Sequence, residues 1–164
     1  MNYTATRLTD QHSFDWFDCG EPHLDKWAQT QALKDQDCGR SATHVWTDDS
    51  DELVVGYFTL LPTITREDDS GIFSIIKPKS FQGKEVPGVL IGKFALDRSL
   101  RGLGLGVELL ADALIVSGEA MDLIGGVHVV VDPMDGRDKL REWYTSQGFR
   151  AIEGTDRLYL SLRE

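Results

Sequence analysis

The chain has 164 residues and a formal net charge of −10 at pH 7, and 41% of its residues are hydrophobic. This length predicts one domain, residues 1–164, with a single core, and no apolar stretch is long enough to span a bilayer or to act as a signal region. Cys19, Cys38 and four scattered histidines lack the spacing of a disulfide scaffold or a metal site, so we expect a cytoplasmic protein with reduced thiols and no metal.

The first half of the chain predicts strands around one helix. Residues 2–8 alternate between polar and apolar types like an opening strand. Pro22 suits the first turn of a helix, which Gly39 ends. Residues 41–47 and 53–65 are rich in β-branched and aromatic types, which predicts an antiparallel hairpin.

The second half predicts alternating strands and helices. In chain order these are a strand over Val89–Asp97, a helix over Gly104–Ala120, a strand over Val127–Val131, a helix over Arg137–Gln147 ended by Gly148, and a hairpin of Phe149–Glu153 with Arg157–Leu162. The strand-helix-strand unit predicts a parallel pair of strands. The expected fold is therefore α+β, with a mixed sheet flanked by helices.

The most informative motif is the glycine-rich turn Arg101–Gly106, which lies between the predicted strand and helix. Backbone N–H groups at the start of a helix are unpaired, and the helix macrodipole favours an anion there. Glycines let a phosphate approach the backbone without a side chain in the way. The motif therefore predicts a pyrophosphate site, with an ordinary strand-to-helix turn as the alternative.

Spacing narrows the identity of the pyrophosphate. The turn lacks the last glycine of a dinucleotide fingerprint, and it lacks the Lys-Ser/Thr pair of a Walker-type loop. It fits the pattern Arg/Gln-x-x-Gly-x-Gly/Ala, with Arg101, Gly104 and Gly106 in the fixed places. That pattern is the acetyl-coenzyme A signature of the GNAT N-acetyltransferases, and the chain resembles this family.

The GNAT resemblance implies a single N-acetyltransferase domain with splayed central strands and acetyl-CoA as cosubstrate. In the family the turn wraps the pyrophosphate, and the pantetheine arm runs along the preceding strand. The residues implied for acetyl-CoA binding are Phe94, Ala95, Leu96, Arg101, Gly102, Leu103, Gly104, Leu105, Gly106 and Val107.

A second resemblance lies in Trp143–Phe149, which is similar to the family's aromatic-Tyr-x-x-x-Gly-Phe segment. In many members this tyrosine protonates the leaving thiolate, which implies a catalytic role for Tyr144. A phenol is a suitable acid because its reference pKa of about 10 exceeds the value of about 8.5 for a thiol. The alternative is a tyrosine that caps the core with its hydroxyl in water.

A third resemblance narrows the family. The segment Phe17–Trp27 follows the pattern Phe-x-Cys-Gly-x-x-x-Leu-Asp-x-Trp, and residues 39–43, 56–60 and 93–97 match the same subgroup in spacing and type. The subgroup consists of GNAT toxins from bacterial toxin–antitoxin pairs that acetylate the α-amine of aminoacyl-tRNA and arrest translation. The resemblance implies aminoacyl-tRNA as acceptor and a ribbon-helix-helix antitoxin as partner; a homodimer stays open.

The acid–base chemistry of amines also indicates which kind of amine is the acceptor. A terminal α-amine has a pKa near 8, so a useful fraction is neutral at pH 7 without a strong base, whereas a lysine amine near 10.4 would need more help. No strong base is evident, because His44 and His128 lie in predicted strands and His23 lies on an exposed helix face. Cys19 has no adjacent group to activate it and is predicted to be a buried structural residue.

A tRNA acceptor requires a local basic patch on a protein that is acidic overall. Arg40, Lys93 and Arg98 flank the segments expected at the acceptor mouth, and we predict that they bind the substrate. The acidic runs 48–52 and 67–69 are predicted to be solvated loop tips. Two alternatives stay open: a GNAT enzyme for a small amine or a protein N-terminus, and a coenzyme A-binding module without turnover.

Overall fold

The computed structural model describes residues 2–67, 75–133 and 136–163. Its helices and strands are β1 (Thr6–Arg7), α1 (Pro22–Thr30), α2 (Ala32–Asp37), β2 (Ala42–Thr47), β3 (Val54–Arg66), β4 (Glu85–Leu96), α3 (Leu105–Ile124), β5 (His128–Val131), α4 (Asp138–Ser146), β6 (Arg150–Ala151) and β7 (Leu158–Ser161). Two compact units are formed, one by Met1–Leu61 with Gly92–Leu114 and the other by Pro62–Ile91 with Ile115–Glu164. Within the described residues, no helix is both long and apolar enough to cross a membrane.

In the first unit the strand order is β1-β2-β3-β4, and β2 pairs antiparallel with both β1 and β3. This arrangement confirms the predicted hairpin. Thr43 lies opposite Thr59, and their buried hydroxyls hydrogen bond at 2.9 Å. An aromatic cluster of Phe14, Phe17 and Tyr57 fills the core beneath α1 and α2.

The N-terminal part of this unit differs from the prediction in two places. The opening strand is shorter than residues 2–8, because the N–H of Ala5 donates to the Asp112 carboxylate instead of to a strand carbonyl. The single predicted helix is divided into α1 and α2 at Gln31, whose φ of −129° is not helical. Gly39, with φ +83°, follows the second helix as predicted.

In the second unit the strand order is β3-β4-β5-β7-β6, and all four residues of β5 are buried. β5 pairs parallel with β4 and antiparallel with β7, which also pairs with β6. The parallel pair and the terminal hairpin are therefore as predicted. Arg157, just before β7, donates from Nε and Nη2 to the two oxygens of Asp132, each at 2.9 Å.

The helix α3 connects β4 to β5 and begins directly after the glycine turn. It is longer than predicted and ends at Gly125 and Gly126, whose φ values are +89° and +136°. Buried residues recur along it at the spacing of one helical face, at Leu109, Ala113, Ser117 and Met121. The resulting mixed sheet with flanking helices is the α+β fold that the sequence predicts.

Candidate functional site

The glycine turn adopts a backbone conformation that only glycines accept readily. A short 3-10 helix, Arg98–Leu100, follows Asp97, and the turn leads from it to α3. Gly102 and Gly104 have φ values of +77° and +74°. A Cβ at either glycine would meet no atom within 4 Å, so the backbone conformation, not crowding in the free protein, requires glycine here.

This geometry suits an anion. The N–H groups at the start of α3, before Glu108, have no acceptor within the helix, and the positive end of its macrodipole lies there. Left-handed residues that alternate with right-handed ones turn successive N–H groups toward one concave side, which is an arrangement that binds phosphates. Leu103 and Val107 are 66% and 47% exposed, so the turn lies at the surface.

Asp97 organises the base of the turn. Its Oδ1 accepts from the Ser99 N–H at 3.0 Å and from the Ser99 hydroxyl at 2.7 Å, and its Oδ2 accepts from the Asp18 N–H at 3.0 Å. Partial burial raises the pKa of Asp97, but these hydrogen bonds and the nearby charge of Arg101 outweigh burial. The pKa of Asp97 therefore lies below its ordinary value and the group stays ionised.

Arg101, the first residue of the acetyl-CoA signature, is held by the N-terminal segment. Its Nη2 donates to the carbonyl of Cys19 at 2.5 Å. Gly20, with φ +88°, lies beside the same guanidinium, and a Cβ there would be 2.7 Å from Nη2. The resemblance implies that Arg101 takes part in acetyl-CoA binding, and the structure gives its side chain a partner within the protein.

The last residues of the strand before the turn are buried or half-buried. Ala95 is 5% exposed and belongs to the core of the first unit, while Phe94 and Leu96 are half-buried. Gly56 lies beneath Leu96, with 3.2 Å between an ideal Cβ and the Leu96 Cδ1. These three strand residues are those that the resemblance assigns to the pantetheine arm.

Two of the three predicted acceptor-binding residues contact the Phe17–Trp27 segment. Lys93 Nζ lies 4.9 Å from the centre of the Trp27 ring. Arg98 Nη1 lies 3.6 Å from the Asp18 carboxylate, and both side chains are more than half exposed. Arg40 is exposed beyond the end of α2, where its N–H donates to the Asp35 carbonyl at 2.8 Å.

Tyr144 lies in the second unit, on α4. It is 4% exposed, and its ring packs against Trp143 and Phe149 at centroid distances of 5.0 and 5.3 Å. Gly148, with φ +101°, reverses the chain so that Phe149 returns to this ring. Burial raises the pKa of Tyr144 above its ordinary value, so the phenol keeps its proton, which a general acid requires.

The other candidate nucleophiles and bases are packed residues, as predicted. Burial raises the pKa of Cys19 to about 12, and a hydrogen bond with Asp25 adds to this, so the thiol is not a nucleophile at neutral pH. His44 is half-buried and His128 is fully buried, and burial lowers the pKa of both. His128 Nε2 lies 2.6 Å from the carbonyl of Ile76.

The acidic runs have different surroundings. Residues 49–52 are exposed in a turn, as predicted. Glu67 is mostly buried and forms an ion pair with Lys77, which a solvated loop tip does not predict. Asp68 and Asp69 lie outside the described residues.

Sequence reasoning missed the contacts of Asp18 and Asp97 at the base of the turn. The local signal for Asp97 is the Asp-x-Ser pattern with Ser99, because an aspartate often caps the N–H two residues ahead. No local signal exists for the hydrogen bond between Asp18 and Asp97, since these residues are far apart in the chain.

Together, the fold and the glycine turn define an acetyltransferase of the GNAT type. No family model matches the chain. A tRNA-acetylating toxin of Mycobacterium tuberculosis is 32% identical over 162 residues, which is 98% of this chain and 92% of the relative. The chain belongs to the family of tRNA-acetylating toxins.

Two solved structures extend this comparison. AtaT complexed with acetyl-methionyl-tRNAfMet is 27% identical, with a TM-score of 0.83 over 98% of this chain and 95% of that one. A tyrosine-to-phenylalanine mutant of AtaT, bound to the C-terminus of the antitoxin AtaR and to acetyl-CoA, is 25% identical. Its TM-score is 0.77 over 98% of this chain and 94% of that one.

Proposed function

We propose that this chain is an acetyl-CoA-dependent N-acetyltransferase toxin that acetylates the α-amine of aminoacyl-tRNA and thereby inhibits translation. The observation that carries the proposal is the pair of left-handed glycines, Gly102 and Gly104, directly before α3. This backbone geometry suits an anion that is bound through N–H groups, without any side chain. The relative of the same family acetylates tRNA, and the neighbour AtaT is bound to acetyl-CoA in one structure and to an acetylated aminoacyl-tRNA in another.

In this proposal the N–H groups of Leu103–Val107 hold the pyrophosphate of acetyl-CoA. The pantetheine arm runs along Phe94–Leu96, where the side chain of Ala95 is buried. Exposed apolar side chains at Leu103 and Val107 are consistent with a ligand covering the turn. No metal is needed for transfer between a thioester and an amine.

The chemical step is a direct transfer. The neutral α-amine attacks the acetyl carbonyl, the carbon–sulfur bond breaks, and the Tyr144 hydroxyl gives its proton to the departing thiolate. The proton that the amine loses passes to solvent, from which Tyr144 is reprotonated. The ordinary pKa of a phenol is about 10 and burial raises that of Tyr144, so the group is protonated at neutral pH and has a proton to donate.

The acceptor is proposed to bind through phosphate contacts of Arg40, Lys93 and Arg98. The charge of −10 opposes a polyanion elsewhere on the surface, so these residues must act locally.

A cytoplasmic location follows from this acceptor. A ribbon-helix-helix antitoxin is the proposed partner, in line with the AtaT–AtaR complex, and a homodimer is a further proposal.

One observation favours a second candidate acceptor. The strong negative charge suits a cationic small amine better than a nucleic acid. The same fold and cosubstrate would serve this reaction.

A direct experiment separates the two acceptors. The protein is incubated with labelled acetyl-CoA and either total charged tRNA or a panel of small amines, and expressed in cells without its antitoxin. We expect label on aminoacyl-tRNA and growth arrest that is lost in Tyr144→Phe. Label on small amines alone, with normal growth, would replace the toxin function by the second candidate.

A further inference from the structure

The Phe17–Trp27 segment and the base of the glycine turn are joined at two consecutive residues, Asp18 and Cys19. The N–H of Asp18 donates to Asp97 at 3.0 Å, and the N–H of Arg98 donates back to the Asp18 carbonyl at 2.9 Å. Arg101 Nη2 donates to the Cys19 carbonyl at 2.5 Å, and an ion pair joins Arg98 to Asp18. We call these four interactions the latch contacts. All of them lie within the first unit.

Gly20 leaves room for the Arg101 guanidinium because it has no side chain. An ideal Cβ on Gly20 would lie 2.7 Å from Arg101 Nη2 and 3.6 Å from Cζ, so a side chain would push the guanidinium off the Cys19 carbonyl. Gly39 provides a comparison, because it has nearly the same φ, +83° against +88°, but a Cβ there would meet nothing within 4 Å. Of these two glycines, Gly20 is the one where a side chain would displace a residue of the turn.

The latch contacts hold Asp97, Arg98 and Arg101, and Arg101 directly precedes Gly102, the first left-handed glycine of the turn. Glycine residues sample many backbone conformations. A glycine turn without restraining contacts would therefore lose much conformational entropy when it binds an anion. Arg101 is fixed at both ends, by its N–H to the Arg98 carbonyl and by its guanidinium to Cys19. A turn that is already ordered binds its ligand more tightly because less entropy is lost.

We propose that Cys19 and Gly20 hold the guanidinium of Arg101 in place, and that this contact orders the glycine turn before acetyl-CoA binds. In this assignment Arg101 is a positioning residue rather than a phosphate ligand, and Gly20 is glycine because a side chain would displace it. The inference rests on the proposed function in one respect, that the glycine turn binds the pyrophosphate. It gives the N-terminal motif a role in coenzyme affinity.

The first test compares Gly20→Ala with Gly39→Ala by calorimetric titration with acetyl-CoA. Both substitutions place alanine at a positive φ, so the backbone strain is matched and only the first displaces Arg101. We expect Gly20→Ala to weaken acetyl-CoA binding about tenfold relative to Gly39→Ala. In steady-state assays the KM for acetyl-CoA should rise while kcat changes little, because the transfer step itself is untouched.

A double-mutant cycle identifies the pathway of the effect. Arg101→Ala should weaken binding by a similar factor without any change at the glycine, which also covers the case in which Gly20→Ala does not fold. In the Arg101→Ala background, adding Gly20→Ala should cost no more than adding Gly39→Ala. A Gly20→Ala effect of equal size in both backgrounds would show that backbone strain alone is responsible and would overturn the inference.

Hydrogen–deuterium exchange tests the contact of Arg101 with Cys19 and Gly20 in the absence of coenzyme. The N–H groups of Asp18, Arg98 and Arg101 are bonded within or beside the latch contacts, so their exchange should accelerate in Gly20→Ala and not in Gly39→Ala. Unchanged exchange, with wild-type acetyl-CoA affinity in Gly20→Ala, would overturn the inference while leaving the proposed function intact. Wild-type protein that binds no acetyl-CoA would instead overturn the proposed function, and this inference with it.

Discussion

Gly88 in β4 lies directly against the backbone of His128 in β5. A Cβ on Gly88 would be 2.2 Å from the His128 carbonyl oxygen and 3.1 Å from its carbonyl carbon. The two residues are partners in the parallel pair, so neither strand can move away without losing its register. This close approach explains a glycine at this position of the strand.

The first prediction follows from this contact. Gly88→Ala should lower the free energy of unfolding by about 1–3 kcal/mol, because the methyl group must displace backbone rather than a flexible side chain. Gly118→Ala in α3 is the control, since its Cβ would meet only Leu162, at an ordinary 3.9 Å. That substitution should stabilise the helix by about 0.5–1 kcal/mol. Urea denaturation of both variants checks the two signs.

The second prediction concerns the coenzyme. Gly104→Val should abolish measurable acetyl-CoA binding, because valine disfavours φ +74° and would place its side chain where the phosphate must approach. Gly154→Val, at a comparable φ of +84° in the second unit, controls for strain alone. Calorimetric titration should show an unchanged affinity in Gly154→Val. The same result in Gly104→Val would refute the pyrophosphate site.

The third prediction concerns the general acid. Tyr144→Phe should reduce turnover by about 100- to 10,000-fold while acetyl-CoA binding survives, since the ring and its packing remain. Tyr159→Phe is a matched control, because this buried phenol accepts from the Ile76 N–H at 3.1 Å and serves the fold. It should lower stability but not turnover per folded molecule. Near-normal turnover in Tyr144→Phe would show that another group protonates the thiolate.

The fourth prediction concerns pH. Burial holds the pKa of His128 below its ordinary value of 6.5, with the charge of Lys77 acting in the same direction, although the hydrogen bond to Ile76 raises it. Below about pH 6.5, His128 therefore binds a proton more readily in the unfolded chain than in the folded chain. The contribution of neutral His128 to the free energy of unfolding is fully present above that pH. It is lost as the pH falls toward the pKa that His128 has in the folded chain.

His128→Gln keeps a donor for Ile76 but does not titrate, so the fall in unfolding free energy between pH 7 and 5 should become shallower. His44, whose pKa is also lowered by burial, should account for part of the remaining slope. His23→Gln, at a side chain that is 63% exposed, is the control. Urea denaturation across this range gives the slopes, and equal slopes for wild type and His128→Gln would contradict the prediction.

The fifth prediction concerns the acceptor. Activity on aminoacyl-tRNA should fall with salt by roughly one power of concentration for each phosphate contact. Arg98→Ala should reduce that slope by about one, because one contact is removed. Arg163→Ala is the control, since Arg163 is tied to Asp122 at 2.9 Å in the second unit. A salt slope that Arg98→Ala leaves unchanged would remove Arg98 from the acceptor site.

The sequence by itself determined what depends on near neighbours in the chain. The glycine turn between β4 and α3, the hairpin of β2 and β3, and the Tyr144 segment ended by Gly148 all follow from residue type at fixed short spacing. Such patterns act through backbone preference and periodic burial, which are local properties.

Only the tertiary structure decided which distant residues meet. β1 is shortened because the Ala5 N–H donates to Asp112. The guanidinium of Arg101 fits beside residue 20 because that residue is glycine, and residue 88 is glycine because His128 lies against it. Each pair is far apart in sequence, so no local pattern records the contact. The packing of the whole chain selects these partners, because a buried or crowded group is satisfied only by what the fold places beside it.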